Sequence, residues 1–293
     1  MYKEYCPVIE NRKIAPGHYV LRMRSPRIAK NARPGQFVQI LCADSYEPLL
    51  PRPFSFLTAD TKDFSILYHV VGKGTALLKM AKKGDVFSVL GPLGNGFSVK
   101  RQALSDKKEH LLVGGGVGIP PLFHLAQELL KNKISKKCVH VFLGARDKSI
   151  LLCEEKFRKL GVDLQLATDN GSKGHKGYVT KILEKQIYLT LNAYRLPLKI
   201  YTCGPTPMLK TVSVISQKYE VPCEVSVEVP MACGFGACLG CAIEVRRQKT
   251  EDRKQKKQKD QLSSVFRPLS SETRFAIACT EGPVFKADEI AWD

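Results

Sequence analysis

The feature that most constrains this chain is the spacing of four cysteines near its C-terminus. Three lie in the segment Cys233-Gly-Phe-Gly-Ala-Cys238-Leu-Gly-Cys241, and Cys279 follows farther along the chain. Glycine adopts positive φ angles without strain and lets the backbone approach a bound group closely, so the glycines here permit a tight loop. We therefore expect a loop that turns several thiolates toward one centre.

The spacing C-x4-C-x2-C…C is the plant-type pattern of a [2Fe–2S] cluster. The alternatives are a zinc site and a set of unrelated buried thiols. Zinc sites favour two short C-x2–4-C pairs, whereas here three cysteines share one loop and the fourth is remote. The sequence thus predicts a [2Fe–2S] cluster with Cys233, Cys238, Cys241 and Cys279 as ligands, in a protein that exchanges electrons with other redox centres.

Length and composition fit a globular protein of two or three domains. The chain has 293 residues, of which 44% are hydrophobic, and no run approaches the roughly 18 apolar residues of a membrane span. Its first residues lack the apolar core of a signal peptide. We expect a cytoplasmic protein without a membrane span, whose cysteines outside the cluster motif are reduced thiols.

The net charge of +18 raises the alternative of nucleic-acid binding. Much of this charge is local, because residues 246–259 include eight basic and two acidic side chains. Blocks of like charge without apolar residues usually form solvated loops. We expect such a loop and no nucleic-acid partner, with a docking patch or adventitious polyanion binding as the alternatives.

Hydrophobic patterning divides the chain into three regions. Residues 1–103 alternate short apolar runs with turn residues, which predicts barrel or sandwich strands and one helix near 75–81. Residues 104–222 alternate buried strands with helices, which predicts a doubly wound parallel sheet. Residues 223–293 form the cysteine module, with a basic insert near 246–270. The predicted strands lie near 18–23, 36–40, 64–71, 86–90, 111–113, 139–143, 164–167 and 198–202, and the further predicted helices near 121–131, 153–160, 179–185 and 207–218.

Two glycine-containing segments follow strands of the second region. The run Gly-Gly-Gly-Val-Gly at 114–118 could bring backbone amides to a pyrophosphate at a helix N-terminus. It is not a complete G-x-G-x-x-G fingerprint, and a plain strand-to-helix turn is the alternative. The segment Cys-Gly-Pro at 203–205 lies at the strand end where open sheets bind ligands; a buried structural cysteine is the alternative.

Two further motifs lie in the first region. In the segment Arg52-Pro-Phe-Ser55, the arginine could pair with a phosphate and the serine could hydrogen-bond a ring heteroatom. Gly74 and Thr75 could open a helix aimed at the same pyrophosphate. Each motif alone is also explained by an ordinary turn.

Taken together, these motifs resemble the ferredoxin–NADP reductase superfamily, whose barrel binds a flavin and whose α/β domain binds a nicotinamide. The cysteine module narrows the similarity to the electron-transfer subunits of class 1B dihydroorotate dehydrogenases. The resemblance covers nearly the whole chain. Further matching segments lie at 67–69, 91–97, 168–172 and 279–285.

The resemblance implies a β-barrel plus α/β protein that holds FAD and a [2Fe–2S] cluster. It implies electron transfer from an FMN-containing dihydroorotate dehydrogenase catalytic subunit to NAD, in a heterotetramer with two copies of each chain. Ser55 is the candidate for a hydrogen bond to flavin N5, and Cys203 for packing beside the nicotinamide. The implied FAD residues are Arg52, Pro53, Phe54, Ser55, Leu67, Tyr68, His69, Gly74 and Thr75, and the nicotinamide residues are Gly114, Gly115, Gly116, Gly118, Cys203, Gly204 and Pro205.

The chain departs from the family pattern at two places. His69 stands where an arginine is common, and the stretch between Cys241 and Cys279 is long. An insert that loops out of a hairpin would leave the ligands intact. Arg146 could contact the 2′-phosphate of NADP, but the neighbouring Asp147 disfavours it.

Two other functions stay open at this point. The first is a related flavin subunit that serves a hydrogenase or a transhydrogenase. The second is a basic nucleic-acid-binding protein with a zinc module, which would be colourless because it would contain no flavin.

Overall fold

The structure is a computed structural model that describes residues 1–99, 108–194, 196–247 and 272–292. In these ranges no helix is both long enough and apolar enough to cross a bilayer. The helices are α1 (Pro26–Asn31), α2 (Lys73–Met80), α3 (Ile119–Lys131), α4 (Glu154–Leu160), α5 (Val179–Leu189) and α6 (Thr206–Lys218). Short 3-10 turns lie at Gly116–Gly118, Lys136–Cys138 and Lys148–Ile150, and a π-helical turn at Thr190–Tyr194.

Six antiparallel strands from the first third of the chain close into a barrel. The strands are β1 (Tyr2–Ala15), β2 (His18–Arg24), β3 (Phe37–Leu41), β4 (Arg52–Ala59), β5 (Asp63–His69) and β6 (Val86–Leu93). Their order is β1, β2, β5, β4, β3, β6. The four predicted strands and the predicted helix of this region are confirmed, the helix as α2.

Strands β1 and β4 were not predicted from the sequence. In β1 only Cys6 and Val8 are fully buried, and most other side chains are polar and partly or fully exposed. In β4 the first half of the strand is only partly buried. Strands with few buried side chains show little of the alternation on which such predictions depend.

The second region is a sheet with helices on both faces. Its strands are β7 (Glu109–Gly115), β8 (Val139–Ala145), β9 (Asp163–Thr168), β10 (His175–Lys176), β11 (Leu198–Cys203) and β12 (Cys223–Ser226). The described residues form three further strands, β13 (Ala242–Arg246), β14 (Thr273–Ile277) and β15 (Val284–Lys286). The sheet order is β10, β9, β8, β7, β11, β12, β15. All neighbours are parallel except β15, which runs antiparallel to β12.

Alternate side chains of the sheet belong to two separate cores, which is the physical basis of the doubly wound arrangement. Leu111 and Val113 of β7 pack with residues of α5 and α6. Leu112, between them, packs with residues of α3 and α4. Successive side chains of a strand point to opposite faces, so the predicted doubly wound sheet is confirmed.

The last region joins the sheet and the barrel rather than standing apart. Strands β13 and β14 form an antiparallel hairpin in which Ala242 pairs with Ile277 at one end and Arg246 with Thr273 at the other. The cysteines lie at the first end. Of the predicted basic loop, Arg246 and Arg247 close the second end, and residues 248–271 lie outside the described part of the chain.

Candidate functional site

The structure brings the Arg52 motif and the start of α2 together. A Cβ atom on Gly74 would lie 3.3 Å from Arg52 Cγ and 3.4 Å from its Nε. The guanidinium is held from its other side, because Arg52 Nη1 donates to the carbonyl of Leu50 over 2.6 Å. A larger residue at position 74 would displace this arginine. Gly74 and Arg52 therefore form one side of the candidate pyrophosphate site.

The hydroxyl of Thr75 is used within the turn that begins α2. Thr75 Oγ1 accepts from the backbone N–H of Val71 and Gly72 over 3.0 and 3.2 Å, and lies 3.0 Å from the carbonyl of Gly72. Side-chain acceptors at a helix start satisfy amides that have no partner within the helix. Thr75 therefore holds the turn that begins the candidate site, and its hydroxyl is already used within that turn.

The residues at 67–69 point in different directions. Tyr68 is buried in the barrel core, where its hydroxyl donates to Asn11 Oδ1 over 3.2 Å and burial raises its pKa to about 12. Leu67 packs on the opposite side, with residues of the α/β sheet region. His69 is exposed and stacks on His18 with ring centroids 4.3 Å apart. The structure thus makes Tyr68 a core residue of the barrel beneath Phe54, whose ring lies edge-on to it at 5.9 Å.

Ser55 lies on the outer face of the barrel. It pairs across the strands with Phe37 of β3, and its side chain is partly buried. Within the described residues its hydroxyl has no hydrogen-bond partner in the protein. Such a hydroxyl is free to donate to, or accept from, a ring heteroatom of a bound group.

The two glycine segments of the α/β region meet at the carboxyl edge of the sheet. Strands β7 and β11 are neighbours, and Gly114 pairs with Cys203. A Cβ atom on Gly118 would lie 2.4 Å from the backbone nitrogen of Gly204. No side chain fits in that gap, so glycine is required at position 118 for the two loops to touch. The contact leaves backbone amides before α3 at the sheet edge, which suits a pyrophosphate.

Cys203 is buried at this edge. Burial raises the pKa of its thiol to about 12, although Ser226 hydrogen-bonds to it. The thiol therefore stays protonated at neutral pH and acts by packing. Beyond β8, Asp147 Oδ1 accepts hydrogen bonds from the backbone N–H and the hydroxyl of Ser149 over 2.7 and 2.6 Å, and these bonds lower the pKa of Asp147.

The cysteine loop folds as its glycines predict. Gly234 and Gly236 have φ angles of 81° and 89°. Backbone amides point at sulfur atoms: the N–H of Gly236 donates to Cys279 Sγ over 3.1 Å, and the N–H of Cys238 to Cys233 Sγ over 3.4 Å. Amides directed at sulfur favour thiolates, which are the form that binds iron.

The thiols of the cysteine module influence one another. Cys233 interacts with Cys238, and Cys241 with Cys279. Cys233 also acts on Cys279. Burial disfavours ionisation of Cys233, but the surrounding backbone amides lower its pKa to about 6. Burial and the neighbouring Cys241 raise the pKa of Cys279 to about 12.

The four cysteines have the chemistry that a two-iron cluster needs. In the described part of the chain, no three His, Cys, Asp or Glu side chains are grouped to hold one metal ion. A structural zinc site needs four ligands around one centre, whereas a [2Fe–2S] cluster needs two thiolates on each of two irons. Four cysteines with the C-x4-C-x2-C…C spacing, two of whose sulfurs accept from backbone amides, therefore fit a [2Fe–2S] cluster.

The barrel contacts the cysteine module through residues that the sequence analysis did not select. Asn95, just after β6, donates from Nδ2 to the carbonyls of Thr280 and Glu281 over 3.1 and 3.0 Å. Gln39 of β3 lies against Gly234 of the cysteine loop. Asn95 falls within the matching segment at 91–97, but neither residue belongs to a motif that indicates its contact.

Comparisons with known proteins identify the domains and the family of this chain. A family model for the oxidoreductase NAD-binding domain matches residues 112–214, and one for the iron–sulfur cluster binding domain of dihydroorotate dehydrogenase B matches residues 228–257. The electron transfer subunit of dihydroorotate dehydrogenase B (NAD(+)) from Desulforamulus reducens is 36% identical over 96% of this chain and 95% of its own. That of Geobacillus kaustophilus is 37% identical over 98% of both chains.

The chain belongs to the family of these electron transfer subunits. The resemblance deduced from the cysteine module is therefore confirmed, and the redox interpretation is favoured over a basic nucleic-acid-binding protein. Among solved structures, an NADH-dependent reduced ferredoxin–NADP oxidoreductase described for flavin-based electron bifurcation aligns with a TM-score of 0.76 and 29% identity. The alignment covers 99% of this chain and 91% of the other. The family thus has an NAD-binding domain, an iron–sulfur domain and a flavin-reductase fold.

Proposed function

We propose that this chain passes electrons from the FMN of a dihydroorotate dehydrogenase catalytic subunit, through a [2Fe–2S] cluster and FAD, to NAD. The observation that carries the proposal is the contact between the flavin-type barrel and the cysteine loop. Strand β3, next to the strand that bears Arg52 and Ser55, touches the loop at Gly234. A flavin and a cluster held on these two elements would be near neighbours, as electron transfer between them requires.

The chain's own residues would supply binding and orientation. Bound FAD would supply the means to exchange a hydride with the nicotinamide and single electrons with the cluster. Arg52, held beside Gly74, would bind the pyrophosphate, and the free hydroxyl of Ser55 would hydrogen-bond flavin N5. The amides around Gly118 would hold the nicotinamide dinucleotide, and the neutral thiol of Cys203 would pack beside its ring.

The surface around the cysteine loop supports a redox partner. Phe235 and Leu239 of the cysteine loop are exposed by about half, at 48% and 59%, and Cys238, which lies between them in the sequence, is exposed as well. Apolar residues grouped at a surface commonly mark a protein interface. We infer that the catalytic subunit docks here, and that two copies of each chain form a cytoplasmic heterotetramer.

Two finer assignments complete the proposal. We infer a preference for NAD over NADP, because the carboxylate of Asp147 beside Arg146 would repel a 2′-phosphate. We place the domain boundaries near residues 103 and 222, with β12 as the point where the α/β sheet passes into the cysteine module. Strand β15 returns to pair with β12, so these two domains share one sheet.

Reconstitution tests the function. The isolated chain, purified anaerobically with its FAD and cluster, should reduce dyes with NADH but should not oxidise dihydroorotate. Addition of an FMN-containing dihydroorotate dehydrogenase catalytic subunit should restore NAD-linked dihydroorotate oxidation. Dihydroorotate turnover by the isolated chain, or a reconstituted pair without NAD-linked activity, would contradict the proposal.

A further inference from the structure

Gln39 is a buried polar side chain whose hydrogen-bonding groups are unused. Only 1% of the residue is exposed. Within the described part of the chain, neither Nε2 nor Oε1 has a hydrogen-bond partner. Its neighbours on β3, Val38 and Ile40, belong to the barrel core. Because side chains alternate along a strand, Gln39 points out of the barrel.

The outward direction leads to the cysteine loop. A Cβ atom on Gly234 would lie 2.6 Å from Gln39 Cγ and 2.9 Å from Nε2. The absence of a side chain at Gly234 therefore leaves room for the carboxamide against the loop. Gly234 directly follows the ligand Cys233, so the end of the Gln39 side chain lies beside the residues that would hold the cluster.

The same face of the barrel carries the flavin motif. Gln39 pairs with Pro53 of β4, and Phe37 pairs with Ser55. Directly opposed residues of an antiparallel pair share a face. Gln39 thus lies between the strand that bears Ser55 and the loop that bears Cys233, at the junction of the two redox sites.

A carboxamide in this place needs a partner. Buried polar side chains in proteins are hydrogen-bonded in the large majority of cases, and an apolar residue would fill the same space without an unsatisfied group. Here the described protein atoms supply no partner, whereas a cluster held by Cys233, the residue before Gly234, would offer sulfur acceptors to this amide. Hydrogen bonds to these sulfurs are one of the factors that set a cluster's potential.

We propose that Gln39 is a positioning residue for the cluster, and that its Nε2 amide donates a hydrogen bond to a cluster sulfur. This inference rests on the proposed function in so far as it requires the cluster to be present. A donor at sulfur stabilises the reduced, more negative cluster more than the oxidised one. Gln39 therefore raises the reduction potential of the cluster and eases its acceptance of an electron.

The test is a redox titration of the full chain with its FAD and cluster. Gln39→Leu removes the donor at similar volume, and Gln39→His keeps an N–H donor. The cluster is followed by electron paramagnetic resonance and the flavin by absorbance. Loss of an outer-shell partner typically costs about 10–100-fold in metal affinity or activity. We expect Gln39→Leu to lower the ratio of reduced to oxidised cluster at a fixed potential about tenfold. For one electron this corresponds to a reduction potential lower by about 59 mV.

Each outcome decides the proposal. A lower cluster potential in Gln39→Leu, with unchanged iron and flavin content and recovery in Gln39→His, supports it. If Gln39→Leu does not retain its cluster, Gln39→Met replaces it in the same titration. An unchanged cluster potential overturns the proposal, and so does a shift confined to the flavin, because the hydrogen bond would then be to FAD. In either case, normal oxidation of dihydroorotate by the wild-type protein with its partner would still support the proposed function.

Discussion

At the scale of single residues, the cluster site depends on thiols that different elements supply. Cys241 directly precedes β13, and Cys279 follows β14 by two residues. Both are 2% exposed, and their contact exists only because Ala242 and Ile277 pair at that end of the hairpin. Pairing of β13 with β14 thus brings Cys279 beside Cys241, although the two residues are remote in sequence.

Replacement of this ligand should separate the two cofactors. Cys279→Ser should lose all or most of the iron and sulfide while FAD stays bound, because the flavin motif lies on the barrel. NADH should still reduce dyes, and transfer to the catalytic subunit should fall at least tenfold. Iron, acid-labile sulfide and flavin analyses check this outcome. The matched control is Cys138→Ser; loss of its cluster would show that the ligand set is wrong.

At the scale of elements, one histidine joins three strands of the α/β sheet. On β8, His140 Nε2 lies 2.6 Å from Glu109 Oε2 of β7, and its Nδ1 lies 2.8 Å from Asp163 Oδ2 of β9. Burial alone would lower the pKa of His140, but the hydrogen bonds to Asp163 and Glu109 outweigh burial and raise it. The protonated imidazole therefore stabilises this edge of the sheet.

The raised pKa predicts a pH dependence of stability. The His140 contribution is full below its unfolded pKa, near 6.5, and is lost as pH rises through its higher folded pKa. The His140 contribution to the free energy of unfolding should therefore fall above about pH 6.5. Burial lowers the pKa of His110 and His124 to about 4, so their effect on the pH dependence is confined to lower pH.

Denaturant titrations at several pH values check the prediction. His140→Phe should be destabilised by roughly 1.5–3 kcal/mol near pH 6.5, the usual contribution of hydrogen bonds to charged groups. As pH rises from there to about pH 8, the difference in free energy of unfolding between wild type and His140→Phe should shrink. The exposed His175→Phe is the control and should keep the wild-type slope. An equal slope in His140→Phe and wild type would contradict the assignment.

The hairpin also predicts the effect of removing the basic insert. Its two ends are adjacent, because the backbone N–H of Arg247 donates to the carbonyl of Glu272 over 2.7 Å. Replacement of residues 248–271 by an Asn-Gly turn should therefore preserve the hairpin, which such two-residue turns close well. Iron content, FAD content and NADH-dependent dye reduction should stay within about twofold of wild type.

The result would be informative in either direction. The cysteines lie at the opposite end of β13 and β14 from the insert, so a shortened variant has no geometric reason to lose its cluster. Loss of iron after the replacement would show that residues 248–271 support the cluster loop. A Gly-Ser segment of the same length is the control for the change in chain length.

At the scale of the whole molecule, the barrel and the cysteine module are held together by polar contacts. Asn95 donates to two carbonyls of the segment after Cys279, and its own backbone N–H donates to the carbonyl of Gly282. Asn95→Ala removes only the two side-chain bonds, at a cost of about 1–3 kcal/mol. We expect faster loss of iron under air and unchanged FAD content.

Spectroscopy of the two cofactors can check this expectation during storage. Absorbance of the cluster should decay several-fold faster in Asn95→Ala than in wild type. Asn31→Ala is the control: its side chain also donates to a backbone carbonyl, that of Arg27 within α1, far along the chain from the cysteine module. Equal decay in all three proteins would show that Asn95 does not stabilise the cluster module.

Local spacing in the sequence determined much of this protein. The cysteine pattern, the glycine run at 114–118 and the alternation of strands and helices between 104 and 222 each depend on residues close along the chain. Cluster ligation, nucleotide loops and the period of an amphipathic helix impose such local spacing directly. The corresponding predictions of a doubly wound sheet and an iron–sulfur module were therefore confirmed, whereas the strand pattern of residues 1–103 left a barrel and a sandwich open and the family resemblance decided for the barrel.

Only the tertiary structure decided how these parts meet. It placed Gln39 against Gly234, Asn95 against the segment after Cys279, and β15 beside β12. It also directed the Tyr68 side chain into the barrel core. The partners in these contacts are far apart in sequence and share no repeat or motif, so no local pattern records them. They follow from the packing of one folded surface on another, which is set by the chain as a whole.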